Sequence, residues 1–202
     1  MKKTLLLFAL LFSTVSLVQA APAKPTTPST QSSAKSSEAI KSETYHTKLL
    51  DKVKSALVRA KKTSVVSLKQ EEVNALRQKK YLFIYFSASW CGPCRRFTPE
   101  LVKFYNEYYK KNGDFDILLV SSDRSQEKMN AYMKEEKMPW AGIKLTHAMT
   151  NGLAKQHKVS GIPRLVLLGE KDEVLANGQG DAINKYAELR AAASSAPTSQ
   201  NK

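Results

Sequence analysis

Apolar positions follow two rhythms along this chain, and the change from one to the other places its elements. YLFIYF at residues 81 to 86 and FDILLV at residues 115 to 120 are nearly unbroken apolar runs, as expected of strands covered on both faces of a parallel sheet. Between them Phe97, Leu101, Phe104 and Tyr108 recur at i, i+4, i+7 and i+11, one stripe of a helix. Asn112-Gly113 is the stop signal for that helix. Met129, Tyr132 and Met133 stripe a second helix, opened by Asp123 or Ser125 as N-cap. LAKQHKV reads as a shorter third helix. RLVLL (164 to 168) and DEVLA (172 to 176) read as a strand pair turning at Gly169, and DAINKYAELRAAA as a closing helix after the turn-rich NGQG. Upstream, Tyr45, Leu49, Leu50 and Val53 have helical spacing, ALVRAKKTSVVSL suggests two short strands about a basic turn, and QEEVNALRQ one or two helical turns. Strands alternating with helices, then a hairpin and a helix, predict an α/β domain.

The ends of the chain have a different composition. MKKTLLLFALLFSTVSLVQA runs from Lys2 and Lys3 through an apolar stretch to Val18-Gln19-Ala20, the order of a secretory signal peptide cleaved after Ala20. Residues 5 to 18 fall short of the roughly 20 apolar residues of a spanning helix. Residues 21 to 42, dominated by Ala, Pro, Ser and Thr, cannot bury enough surface to offset their ordering entropy. The expected organisation is a signal peptide at 1–20, a flexible tether at 21–42, one domain at 43–193 and a disordered tail at 194–202. The mature chain is then expected to be extracytoplasmic, periplasmic or secreted, without a transmembrane segment. With 32 Lys+Arg against 18 Asp+Glu the formal net charge is +14. The lysines are scattered in pairs such as Lys61-Lys62 and Lys79-Lys80 rather than striped among aromatics, so the charge reads as solubility with some attraction to anionic surfaces, not as a nucleic-acid site.

Cys91 and Cys94 are the two cysteines of the chain. The strand ending at Phe86 delivers the chain to a helix that begins at or just after Cys91. Unpaired N–H groups and the positive end of the helix dipole favour a thiolate there, and a thiolate is the nucleophile in disulfide exchange. Cys94, one turn later, is placed to attack a mixed disulfide formed at Cys91. A structural staple gains from a long loop, which this spacing does not close. Zinc needs four ligands as a rule, and His46, His147 and His157 show no metal spacing to the pair. A redox pair is therefore favoured, with no metal and no cofactor beyond its own disulfide.

WCGPC at residues 90 to 94 is the active-site motif of the thioredoxin superfamily. Pro99 matches that family's helix-kinking proline, and GIPR at 161 to 164 resembles its cis-proline loop. The stretches YFSASWCGPCRRFTPELVKFYNEYYKK, SSDRS and KMPW resemble the tryparedoxin and nucleoredoxin branch and bacterial extracytoplasmic relatives of it, over roughly residues 56 to 190. The resemblance implies a thioredoxin fold, a central mixed β-sheet flanked by helices on both faces. It also implies a thiol–disulfide oxidoreductase in which Cys91 attacks, Cys94 resolves, and Ile162 and Pro163 shape a peptide groove. Trp90 would shield the pair and offer a contact face, and the Gly92-Pro93 dipeptide leans toward reduction. Three positions depart from thioredoxins proper. Tyr85 stands where they carry a buried Asp that helps move the second thiol's proton, as in the tryparedoxin branch. Tryparedoxins have Pro-Pro where this chain has Gly92-Pro93. Arg164 replaces the usual Thr after the cis-proline, and reads either as a cation beside the substrate or as a solvated strand-start residue. Asp123 reads either as a substitute acid or as a helix cap, and Trp140 as core or as part of the same surface. Expected partners are protein or small-thiol disulfides and a membrane-embedded thiol donor, the chain itself being a monomer. An oxidase or isomerase, or a redox-inert binding module, are the rival readings.

Overall fold

A computed structural model describes residues 44–195, and for residues 147 and 148 the backbone alone. The expected signal peptide and tether, and the last residues of the expected tail, lie outside the described residues. The chain begins with α1 (Thr47–Val53) and a 3₁₀ turn (Lys54–Ala56), then the hairpin of β1 (Leu57–Ala60) and β2 (Val65–Ser67), and α2 (Gln70–Arg77). It continues through β3 (Tyr81–Ser87), α3 (Gly92–Asn112), β4 (Phe115–Ser121), α4 (Gln126–Glu135), β5 (Ala141–Ile143) and α5 (His147–Gln156). It closes with β6 (Arg164–Leu168), β7 (Val174–Asn177) and α6 (Gln179–Ser195).

The strands form one mixed sheet in the order β2-β1-β5-β4-β3-β6-β7. β3 lies inside it, parallel to β4 with Tyr85 opposite Leu119, and antiparallel to β6 with Tyr85 opposite Leu165. All seven residues of β3 and all seven of β4 are buried, which is why both read as apolar runs rather than alternations. Their side chains still alternate between two cores. Phe83, Tyr85, Ile117 and Leu119 pack with Leu101 and Phe104 of α3, Met129 and Met133 of α4, and Tyr186 of α6. Leu82, Ile84, Phe86, Leu118 and Val120 pack with Leu50 of α1, Leu76 of α2 and Leu153 of α5. Helices therefore cover both faces, as the fold requires. In the first core Phe83 meets Phe104, Phe115 and Tyr186 edge-on at 5.6–5.8 Å, each pair contributing about 0.5–1.5 kcal/mol beyond area burial.

The boundaries differ from the sequence pattern where tertiary contacts decide them. β5 has no counterpart among the expected strands. It has three residues, and its pairing with β1 and β4 is long-range. α5 starts at His147, before the LAKQHKV stretch. β7 starts at Val174 because Asp172 is held in the turn at φ 64°. Its carboxylate accepts bonds from the Leu49 N–H (3.1 Å) and from His46 Nδ1 (3.0 Å), tying α1 to the hairpin. α3 ends as expected, with Gly113 at φ 65° donating its N–H to the Tyr109 carbonyl. Pro99 lies inside α3, where it withholds the N–H that Arg95 would otherwise receive.

Candidate active site

β3 ends at Ser87, and a tight loop carries the chain into α3. The Cys91 N–H donates to the Ala88 carbonyl (3.2 Å) and the Ser122 N–H to the Ser87 carbonyl (2.8 Å), so the loop is pinned to the end of β4. Cys91 is the N-cap of α3, and its sulfur accepts the Cys94 N–H at 3.2 Å. Gly92 and Pro93 form the first turn, where a missing Pro N–H leaves no partner unsatisfied. Cys91 and Cys94 are joined in a disulfide. Cys91 is 5% exposed and Cys94 fully buried.

The loop before β6 closes the other side. The Ile162–Pro163 peptide is cis, and the Ile162 carbonyl oxygen stands 3.8 Å from Cys91 Sγ. Ile162 also packs against Ala88 and the two cysteines. Arg164, next along, is half-buried and reaches β7, donating through Nη1 to the Asn177 carbonyl at 3.3 Å. Trp90 is 62% exposed, far more than any aromatic of the cores. Its Nε1–H donates to the Ser122 carbonyl at 3.3 Å, which fixes the ring against the end of β4. Trp140 is fully buried against Tyr85 and Tyr105 and belongs to the core.

Asp123 is not the N-cap of α4. Ser125 caps α4, accepting the Lys128 N–H at 3.3 Å. The buried Asp123 carboxylate instead accepts the Ser89 N–H (3.0 Å) and Ser89 hydroxyl (2.6 Å) on one oxygen and the Ser121 hydroxyl (2.7 Å) on the other. It clamps the residues before Trp90 onto the end of β4.

Behind Cys94 lies a closed ring of four hydroxyls that the sequence reading missed, apart from Tyr85. Tyr85 meets Thr98 (2.9 Å), Thr98 meets Tyr132 (2.7 Å), Tyr132 meets Ser87 (2.9 Å), and Ser87 donates to Tyr85 (3.1 Å). Thr98 also donates to the Cys94 carbonyl at 2.9 Å. That uses the Thr98 proton, so Tyr132 donates to Thr98, while the Tyr85 proton is shared between Thr98 and the Cys94 carbonyl, 3.4 Å away. The Ser87 proton serves one tyrosine at a time. Burial, and secondly the neighbouring Tyr132, hold the Tyr85 hydroxyl well above the usual tyrosine range, so that hydroxyl keeps its proton. A signal was present: Thr98 is one turn beyond Cys94 and a polar residue on the buried side of α3. His46 and His157 are engaged elsewhere. His46 pairs with Asp172, and His157 is buried against Phe86 with its basicity lowered by burial. Among the described residues no cluster of His, Cys, Asp and Glu could hold a metal.

The arrangement presents a two-electron disulfide with one sulfur at the rim and the other enclosed. Comparisons with known proteins agree with it. A family model described as thioredoxin-like matches residues 78–174. Probable nucleoredoxin 1 of Arabidopsis thaliana is 41% identical over 118 residues, 58% of this chain and 20% of that protein, so the chain spans about a fifth of that relative's length. The thioredoxin of Wuchereria bancrofti superposes with a TM-score of 0.54 at 32% identity, covering 70% of this chain and 97% of that one. Tryparedoxin I of Leishmania major gives 0.52 at 28% identity, covering 77% and 99%. The chain belongs to the thioredoxin superfamily, in its tryparedoxin- and nucleoredoxin-like branch, an oxidoreductase family carrying here the pair Cys91 and Cys94.

Proposed function

We propose that this chain is an extracytoplasmic thiol–disulfide oxidoreductase that reduces protein or small-thiol disulfides through Cys91 and Cys94. The observation that carries the reading is the Cys91–Cys94 disulfide at the N-terminus of α3, beside the Ile162–Pro163 loop, with Cys91 slightly exposed and Cys94 fully buried. In the reduced chain the Cys91 thiolate, favoured at the N-terminus of α3, attacks one sulfur of a substrate disulfide. The Cys91–substrate bond forms, the substrate S–S bond breaks, and the departing sulfur takes up a proton. The Cys94 thiol gives up its proton to solvent or to the second departing sulfur and attacks Cys91 Sγ. The Cys91–Cys94 bond forms, the second substrate thiol leaves, and two electrons have passed from chain to substrate. A dithiol donor must then reduce the pair, and in an oxidising compartment a membrane-embedded thiol relay suits that task. The extracytoplasmic location is supported by the order of charged, apolar and small residues over positions 1 to 20. No described helix is long and apolar enough to cross a membrane.

The test is dithiol-dependent reduction of a protein disulfide. The natural chain is expected to turn over and Cys91→Ser to lose all activity above the uncatalysed rate. Full activity in that variant would sink the reading. The reduction potential of the pair in a dithiothreitol series is expected near that of thioredoxin, about −270 mV; a value near −120 mV would instead mark an oxidant.

A further inference from the structure

The cations around the disulfide fall into two groups. Arg95 is neutralised: it donates to the Ser89 carbonyl at 2.6 Å and pairs with Glu135 and Glu136 at 3.0 and 3.1 Å. Arg164 is drawn to β7. Arg96, Arg124 and Lys128 are exposed and enter no ion pair within 4.0 Å among the described residues. Arg96 stands by the turn between the cysteines, and Arg124 and Lys128 stand by Trp90, the residue before Cys91. Arg96 Nη1 lies 3.8 Å from the point where a Cβ on Gly92 would stand, over the backbone between the cysteines. Arg124 and Lys128 line, with Trp90 and Ser122, a groove of about 400 Å³. That groove shares Ser122 and Arg124 with a neighbouring pocket of about 290 Å³, whose lining includes Phe86, Val120 and Leu145. The carboxylates nearby are already engaged. Both oxygens of Asp123 are engaged by Ser89 and Ser121, and Glu127 is held on the first turn of α4 by its own backbone amide and by Ser125.

We propose that this groove docks an acidic polypeptide segment, so that the preferred substrates carry Asp or Glu beside the disulfide that is reduced. This rests on the reading of Cys91 and Cys94 as a reducing pair. Trp90 supplies an apolar face that anchors the segment next to Cys91. The unpaired cations set its direction and raise the encounter rate, a contribution that salt screens.

Two peptides of equal length with one disulfide each, flanked in one by Glu and in the other by Lys, form the test with the full chain and dithiothreitol. The acidic peptide is expected to show a kcat/KM higher by about tenfold at low ionic strength, within the range of electrostatic steering, and the gap to shrink at high salt. Arg124→Glu with Lys128→Glu is expected to reverse the preference. Lys61→Glu with Lys62→Glu, the same change in net charge on the β1–β2 turn, is expected to leave it unchanged. Equal rates for the two peptides, or an equal loss in both double variants, would overturn the proposal. Binding of the same peptides, reduced, alkylated and fluorescently labelled, to the oxidised chain separates docking from reduction. Acidic preference in binding without reduction would fault the proposed activity alone, whereas equal binding of both peptides would overturn the docking groove.

Discussion

Cys91 and Cys94 are three residues apart, bonded to each other and packed against the same Ala88 and Ile162, yet beyond that shared contact their surroundings differ. On the Cys91 side are the exposed indole of Trp90, which with Arg124 and Lys128 lines a groove open to solvent, and a backbone carbonyl 3.8 Å from the Cys91 sulfur. Behind Cys94 are four hydroxyls bonded to one another and to its carbonyl, with no charged group among them. The outer half is built to meet a partner, because its cations Arg96, Arg124 and Lys128 enter no ion pair among the described residues. The inner half is built to hold a position, because its polar groups find one another. A carboxylate in the inner position would tie the redox step to a buried titration. A hydroxyl ring holds the first turns of α3 without that charge.

The sharpest break in this comparison is between the sulfurs themselves. Cys91→Ser is expected to remove turnover entirely, while Cys94→Ser is expected to attack once and accumulate a stable mixed disulfide, seen by mass spectrometry of the chain with a substrate peptide. Trapping at Cys94 in the Cys91→Ser variant would invert the assignment. Next in size is Thr98→Val, which keeps shape and deletes the hydroxyl shared by Tyr85, Tyr132 and the Cys94 carbonyl. Stranding buried polar groups costs about 1–3 kcal/mol, read as a fall in the denaturation midpoint. The charge preference of the outer groove is expected to persist in it.

The inner ring also has a pH signature. Tyr85 is raised by burial, so the folded chain keeps this proton after the unfolded chain has released its own near pH 10. The folded state then binds more protons, and the stabilisation is full below about pH 10 and lost as pH rises further. Tyr85→Phe is expected to make the alkaline fall in unfolding free energy shallower, measured by urea titration between pH 8 and 11. It should not abolish that fall, because burial raises Tyr105 and Tyr186 too. An unchanged slope would show that the ring does not shield its tyrosine.

Two smaller effects sharpen the same contrast. Trp90→Ala is expected to leave stability within about 0.5 kcal/mol, as for an exposed site, while raising KM several-fold for a peptide disulfide. Ser87→Ala is expected to cost about 1 kcal/mol or less, since one of its two short contacts in the ring has no proton to fill it.

How far the site was legible in the sequence follows the same division. Cys91, Cys94, Trp90 and Pro163 stand in two short contiguous motifs, and contiguous motifs survive reading residue by residue. Ser87, Thr98 and Tyr132 come from β3, α3 and α4, and their hydroxyls meet only because the sheet and two helices stack. Asp123 was legible as a polar residue at a strand end, but not its bonds to Ser89, 34 residues earlier. Three-residue β5 was not legible either, since it is a strand through its neighbours β1 and β4.

By itself the sequence determined the elements with strong periodicity, the α/β class implied by their order, and the place of the cysteine pair at the start of a helix. Those properties come from local spacing, and local spacing is what a linear chain carries. Only the tertiary structure decided which charges near the pair are neutralised and which stay unpaired. It also decided that Tyr85 stands in a ring of hydroxyls, and that Arg164 turns to β7 while Arg124 and Lys128 line the groove beside Trp90. Pairing, burial and hydrogen-bond satisfaction are set by distances between residues remote in sequence, and those distances exist only once the chain has folded.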